Sequence, residues 1–299
     1  MDSTHWVRTL AVLITCHNRK DNTLSCLERL DNQELPKDVK LKIYLVDDGS
    51  TDGTSEAVSK KFPDVNLIQG DGNLFWNGGM RMAWEAAMNH GYDYYLWLND
   101  DTFLVPGAIS QLLINERELQ KRLNMPVILV GAMIDPDTAR VTYGGMKRIS
   151  KNIKALRFSL MPLSDMPAPC DTINGNCVLV PYLITERIGV MSEDFTHGLG
   201  DFDYGLRAIE AGYTCWVAPG FLGTCSRNPS ENTWYDPEVS IQERNKKLHN
   251  PTGNPPNEWL KFVRRHGGNV WIIVWVKFKL RFWFPGLWHK LRQLRGRSV

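Results

Sequence analysis

Leu96-Trp97-Leu98-Asn99-Asp100-Asp101-Thr102 is an apolar run that stops at two adjacent carboxylates. With Tyr94 and Tyr95 ahead of it, the run has the composition of a strand buried on both faces, as found inside mainly parallel sheets. Such sheets carry their chemistry just beyond the carboxyl ends of their strands. Two acids delivered there suit a hard divalent cation that bridges phosphate oxygens. The plain alternative is a helix cap, because Asp and Asn favour that position and Pro106 marks a nearby helix start.

The same arrangement occurs twice upstream. Residues 10–14 are apolar and run into Thr15-Cys16-His17-Asn18-Arg19; residues 41–46 run into Asp47-Asp48-Gly49-Ser50-Thr51-Asp52-Gly53. Between them, Leu24, Leu27 and Leu30 at helical spacing predict an amphipathic helix over 20–34. Ala57, Val58, Lys61 and Phe62 predict a second helix, capped by Thr51 or Asp52. Residues 65–68 read as a short strand, 70–79 as a Gly-rich loop and 80–89 as a helix leading into Tyr94. Right-handed crossovers then align the strand ends on one edge. The expected fold is α/β, a Rossmann-like, mainly parallel sheet flanked by helices. Thr15, Asp47, the Gly-rich loop with Gly78 and Gly79, and Asp100-Asp101 should share one crevice.

These stretches carry a resemblance. Ile14-Thr15-Cys16-His17-Asn18-Arg19, Val46-Asp47-Asp48-Gly49-Ser50-Thr51-Asp52-Gly53-Thr54 and Leu98-Asn99-Asp100-Asp101 stand in the order and spacing of family-2 glycosyltransferases with a GT-A fold, and the likeness is to bacterial polysaccharide and rhamnosyltransferase-like members. It continues through Thr172-Ile173-Asn174-Gly175-Asn176-Cys177, His197-Gly198-Leu199-Gly200-Asp201-Phe202-Asp203-Tyr204-Gly205-Leu206-Arg207 and Ala211-Gly212-Tyr213, so it spans residues 8–230 or so. The family's cation-binding pattern is Asp-x-Asp, and its first position here is Asn99. Asn99 keeps a ribose or water contact but removes one charge, which leaves the metal mostly to Asp101 with Asp100 assisting. The resemblance implies that Asp47 binds a pyrimidine base, with Thr15 and Arg19 lining the same pocket. It leaves Asp48 to the ribose or to amides of its own turn.

Arg81 stands after the Gly-rich loop, where a helix start would turn its fork and the free amides toward phosphate; a solvated surface arginine is the alternative. Trp76 suits either stacking on a sugar or base, or a place in the core. Transfer to a hydroxyl also needs a base. In the family a Glu-Asp pair opens the helix expected here over 203–211, and its Asp is that base. Aligned on Leu206-Arg207, Asp201 takes this role and Gly200 replaces the Glu. Asp203 is the second candidate, one turn before Arg207 and able to pair with it. His197 and His249 are possible third metal ligands, although lone histidines are more often structural.

At 299 residues and 43% hydrophobic, the chain can bury a full α/β core with an additional module. A net charge of +2 gives no nucleic-acid signal. The six cysteines lack metal-site spacing and no signal peptide is seen, which predicts free thiols in the cytoplasm. No stretch of 18 apolar residues free of charge is present. From Lys277 onward there are seven Lys or Arg residues and no acid, interleaved with Trp and Phe. Residues 270–299 therefore suit the interface of an anionic membrane, placing the protein peripherally on the inner face of the cell membrane. A helix packed on the main domain, or an oligomer contact, is the alternative. Pro285-Gly286 should split the segment into two helices.

The expected division is a domain over 1–265, with a nucleotide half at 1–105 and an acceptor half at 106–265, followed by amphipathic basic-aromatic helices at 266–299. The acceptor half contains a helix over 104–121, a strand at 127–130 and an irregular stretch from Thr138 to Pro169. The expected activity is inverting, metal-dependent glycosyl transfer. A UDP- or dTDP-linked sugar would be the donor, Mn2+ or Mg2+ the cofactor, and a glycan or lipid-linked acceptor of cell-surface polysaccharide synthesis the recipient. A sugar-phosphate nucleotidyltransferase shares the sheet but would need a Gly-rich loop with Arg and Lys after the first strand. Asn99 and Gly200 also leave open a catalytically silent nucleotide- or glycan-binding protein.

Overall fold

Strand β1 (Arg8–Cys16) is buried along its last seven residues, and alternate side chains feed two different cores. Leu10, Val12 and Ile14 pack with Cys26, Leu27, Ile109 and Leu112 on one side of the sheet. Ala11 and Leu13 pack with Met80, Ala83 and Trp84 on the other. A strand covered on both faces needs an uninterrupted apolar run, and residues 10–14 supply it. The computed structural model describes residues 7–149, 156–227 and 234–294. The chain divides into two units: Met1–Lys147 with Ser159–Thr196 and Gly200–Arg227, and Arg148–Phe158 with His197–Leu199 and Asn228–Val299.

In the first unit, β1 is followed by α1 (Lys20–Asp31), β2 (Val39–Asp47), α2 (Thr54–Lys61), β3 (Asn66–Gln69), α3 (Phe75–Met88) and β4 (Tyr94–Leu98). After a two-residue strand at Phe103–Leu104 come α4 (Ala108–Leu123), β5 (Val127–Val130), β6 (Ala168–Cys170), β7 (Cys177–Pro181), α5 (Tyr182–Ile188), α6 (Gly200–Glu210) and β8 (Thr214–Val217). The eight-stranded sheet runs β6-β8-β5-β7-β4-β1-β2-β3. β4, β1, β2 and β3 are mutually parallel, and Cys16 pairs with Asp47 in register. β7 is antiparallel to β4 with Cys177 opposite Leu98, which sets Asn176 beside the acidic turn. The order of strands and helices through β4 is the one read from the sequence.

Several boundaries differ. Helix α3 begins at Phe75 rather than Met80, so Gly78 and Gly79 lie inside it. A Gly pair reads as a breaker, but here each permits close packing: a Cβ on Gly79 would overlap the Thr15 side chain, and one on Gly78 would press on Leu74. Helix α4 starts at Ala108, later than expected, because Phe103–Leu104 first pairs antiparallel with Gly223–Thr224. Helix α6 starts at Gly200, earlier than expected. The stretch read as irregular holds short strands at Val141–Tyr143, Gly145–Arg148 and Phe158–Leu160 and runs into β6, where Pro169 is tolerated at the sheet edge; residues 150–155 of that stretch lie outside the described residues.

The second unit contains α7 (Ile241–His249), α8 (Pro256–His266), α9 (Trp271–Trp283) and α10 (Pro285–Leu294). Its core gathers Trp234, Leu248, Phe278 and Phe282, with Tyr235, Trp259 and Trp275 at the margin. Arg281 lies over the Tyr235 ring at 3.6 Å, and Arg244 donates to the Phe282 carbonyl at 2.8 Å. Half of α9 is thus structural, and it ends before Pro285, as the Pro-Gly pair predicts.

Candidate active site

The acidic turn after β4 is held by a cation from the chain itself. Arg19, at the end of the β1 loop, places its guanidinium 2.7 Å from Asp101 Oδ2 and 3.3 Å from Asp100 Oδ1. Desolvation works against the charged Arg19, but the two carboxylates outweigh it and raise its pKa. Asp100 is buried, and its pKa is pushed up to about 7: burial raises it most, Asp101 adds to this and Arg19 opposes it. Its second oxygen, Oδ2, is buried and has no hydrogen-bond partner. Asp101 is more open, and its Oδ1 lies 3.6 Å from Cys225 Sγ. Cys225 comes from the segment following Gly223–Thr224; its thiol pKa is pushed up to about 12, chiefly by burial.

The paired carboxylates and the orphaned Asp100 oxygen fit a hard divalent cation. Among the described residues no group of three or more His, Cys, Asp or Glu is arranged to enclose one. A cation here would take one or two carboxylates and complete its shell with phosphate oxygens and water, the habit of Mg2+ at phosphate sites. Of the histidines read as third ligands, His197 and His249 both fall in the second unit, where His249 Nδ1 is bonded to the Asn245 carbonyl of its own helix at 2.8 Å.

Loops after β1 and β2 are laced together. Asn18, at φ 51°, accepts from Thr51 N–H at 2.7 Å, and its own N–H donates to Ser50 Oγ at 2.8 Å. Asp47 is fully buried, with one oxygen accepting Ser50 N–H at 3.0 Å and the other the Ser55 hydroxyl. Asp48 does not serve amides of its own turn. It reaches into the Gly-rich loop, where Oδ1 accepts Gly72 N–H at 2.8 Å and Oδ2 accepts Phe75 N–H at 2.9 Å. Thr15 is buried against Gly79. Arg81 sits nearly two turns into α3, away from the free amides of the helix start where the sequence reading put it.

Asp201 occupies the first turn of α6, half-buried, with Oδ2 accepting Gly175 N–H at 2.9 Å and Oδ1 accepting Phe202 N–H at 2.8 Å. Burial nonetheless pushes its pKa up to about 6. Asp203 is fully buried and faces Arg207, whose Nε lies at 2.8 Å. Arg207 also donates to the Ile188 and Val190 carbonyls. Gly200, in place of the family's Glu, lies against Asn77, and a Cβ there would overlap the amide. Trp76 joins the two acid groups: its Nε1 donates to Asn99 Oδ1 at 2.7 Å, and its ring edge rests on Gly175. Sequence pattern leaves Trp76 between a stacking and a core role and gives Asn176 and Cys225 no individual role; pairing with distant elements, invisible along the chain, is what places them here.

Residues 11–147, which supply the acidic turn, the loops after β1 and β2 and Trp76, match the family model for glycosyl transferase family 2. These residues form a family-2 glycosyltransferase domain. The match, together with the relative described next, supports a nucleotide-sugar-dependent glycosyltransferase. The N-acetylglucosaminyl-diphospho-decaprenol L-rhamnosyltransferase of Mycobacterium tuberculosis is 24% identical over 246 residues, covering 75% of this chain and 78% of that protein. In fold, the chain is similar to a mannosyltransferase from Pyrobaculum calidifontis solved with GDP-Man and Mn2+ (TM-score 0.50, 20% identity, 85% of this chain and 64% of that one). It is also similar to S. aureus TarS 1-349 in complex with UDP (TM-score 0.52, 14% identity, 86% of this chain and 71% of that one). This glycosyltransferase has the GT-A fold of those neighbours.

Proposed function

We propose that this glycosyltransferase moves a sugar, with inversion, from a UDP- or dTDP-linked donor to a lipid-linked glycan at a membrane surface. The observation that carries the reading is the bridge through Trp76 from the acidic turn, inside the residues that match family 2, to Asp201. In this reading Asp101, assisted by Asp100, would hold a Mn2+ or Mg2+ ion and Arg19 would face the diphosphate. When bound, the ion neutralises charge on the departing diphosphate. Asp201 takes the proton from the acceptor hydroxyl. That oxygen bonds to the anomeric carbon as the carbon–oxygen bond to the diphosphate breaks, and the electron pair leaves with the nucleoside diphosphate. Asp203, buried on Arg207, positions helix α6 rather than reacting.

Asp47 is fully buried beneath its own turn and Ser55, so a pyrimidine would meet it only if that cover shifts. Thr15, Asp48, Gly78 and Gly79 act by shaping the crevice wall, and Arg81 has no defined role in it. The lipid-linked acceptor follows the name of the M. tuberculosis relative. It agrees with α9, where Ile272, Ile273, Val276, Leu280 and Trp283 are exposed on one side of a helix whose other side is core. No helix among the described residues is long and apolar enough to cross a membrane.

The test is incubation of the purified protein with Mn2+, polyprenyl-diphosphate-GlcNAc and a panel of UDP-, dTDP- and GDP-sugars, read by mass spectrometry. A glycosylated lipid and stoichiometric nucleoside diphosphate are expected. Neither transfer nor donor hydrolysis with any member of the panel would overturn the reading.

A further inference from the structure

Trp76 is the least explained residue of the crevice and the most constrained. It follows Phe75, which holds φ at 52°, a backbone conformation that a bulky residue rarely adopts. Asp48 fixes that conformation by accepting the Phe75 and Gly72 amides on its two oxygens. The indole is then pinned at two points. Nε1 donates to Asn99 at 2.7 Å, and the far edge of the ring lies against Gly175, where no side chain would fit. Gly175 N–H in turn donates to Asp201 at 2.9 Å. The ring packs partly on the core formed with Trp84 and Trp97, yet it is not fully buried.

An aromatic side chain needs neither backbone strain nor two anchors merely to fill a core. Strain of this kind persists only where the surrounding structure over-determines it, and it clusters at ligand and active sites. The position supplies the function. On the glycosyltransferase reading, on which this inference rests, the diphosphate lies at the acidic turn and the acceptor hydroxyl at Asp201. The anomeric carbon must stand between them, and so does the indole. We propose that Trp76 is a specificity-determining residue whose ring packs against the apolar face of the transferred sugar. The C–H face of a pyranose is apolar, and a rigid indole offers it a large surface at little entropic cost. Asn99, at the first position of the acid motif, is then committed to aligning the ring rather than to the cation.

Calorimetry in the presence of Mn2+ tests this with three ligand pairs: UDP and UDP-GlcNAc, dTDP and dTDP-rhamnose, GDP and GDP-mannose. For the pair that wild type binds, Trp76→Ala should weaken the nucleotide sugar about tenfold, the upper range for an aromatic contact, and leave the free diphosphate unchanged. Retained diphosphate binding also shows that the variant is folded. Trp76→Phe keeps a ring but loses the Asn99 bond and should give an intermediate loss, again confined to the sugar. Gly175→Ala, which pushes on the ring edge, should reproduce the selective loss. Equal weakening of sugar and diphosphate in all three variants, or no weakening of the sugar in Trp76→Ala, would overturn the proposal. Wild type that binds none of the six ligands would instead overturn the donor reading, and the proposal with it.

Discussion

The Arg19 guanidinium stands 2.7 Å from the Asp101 carboxylate, so the acidic turn already holds a positive charge of its own. A divalent ion must compete with that charge, and a diphosphate offers Arg19 an equivalent bidentate partner. Metal and donor should therefore bind together better than either binds alone. Asp101→Ala is expected to remove Mn2+-dependent binding of nucleoside diphosphate and to abolish transfer. Arg19→Ala leaves two carboxylates facing each other unpaired, so Mn2+ alone should raise its Tm more than it raises that of wild type. A thermal-shift titration of the two variants with Mn2+, with and without nucleoside diphosphate, checks both expectations; a smaller Mn2+ shift in Arg19→Ala would contradict the competition.

Asp201→Asn removes the basic oxygen while keeping the volume. Transfer should fall about 10²–10⁴-fold, the range for loss of a general base, with donor affinity unchanged. Both Asp201 oxygens accept backbone amides, and Asn can replace only one of them. The variant should therefore also lose about 1 kcal/mol of stability, the net worth of one hydrogen bond. Steady-state kinetics beside a denaturant melt separates the two effects.

The same carboxylate predicts a pH limb. Burial holds its pKa at about 6 in the folded protein, above the ordinary Asp value, so the protonated form gains and the base form is lost as pH falls. With Mn2+ and donor saturating and acceptor low, transfer should drop tenfold per unit below about pH 6 and level off above it. For stability the sign is opposite. The contribution from protonated Asp201 is present at low pH and is lost as pH rises through about 6. A pH–rate profile of Asp201→Asn lacking this limb would assign it to Asp201.

Much of this site was legible from local pattern. Apolar runs ending in Asp47 and Asp100 gave the strands, and parallel pairing brought the two ends to one edge. Fixed geometry of a right-handed βαβ unit leaves little freedom there. What was not legible depends on contacts between distant residues. Gly78 and Gly79 look like a loop until Leu74 and Thr15 are seen to need the space they leave. Asp48 looks like a turn residue, yet it organises Gly72 and Phe75. Nothing near Arg19 in the chain announces that Asp100 and Asp101 will meet it, 81 and 82 residues later.

Asp203 should report on stability rather than chemistry. It has no exposure and its partner Arg207 is anchored at three points. Asp203→Ala should cost about 3 kcal/mol, the low end for breaking a buried pair, because Arg207 retains its two carbonyl partners. Asp203→Asn keeps a hydrogen-bond acceptor and should be milder. Both variants are expected to retain wild-type kcat per folded molecule at low temperature. If Asp203→Asn is instead folded and inactive, the base is Asp203 and Asp201 is the structural acid.

The exposed side of α9 makes the last prediction. At 100° per residue, Ile272, Ile273, Val276, Leu280 and Trp283 fall within an arc of about 100°, with Lys277 and Lys279 on its two borders. The opposite side carries Phe278 and Phe282 into the core. The exposed apolar residues from Ile272 to Leu287 are each 48–60% accessible, a patch suited to the headgroup level of a membrane, with the lysines reaching anionic lipid. Deleting the tail would strip Phe278 and Phe282 from their cluster, so truncation confuses binding with folding. Val276→Glu with Leu280→Glu changes only the exposed side. The double variant should fold normally and stay in the supernatant when phosphatidylglycerol vesicles are sedimented, while wild type pellets. The electrostatic part should fade between 0.1 M and 1 M salt, as the screening length falls from about 10 Å to about 3 Å. If wild type stays in the supernatant at low salt, the patch is not a lipid surface; if the double variant still pellets, the attachment lies elsewhere in the chain.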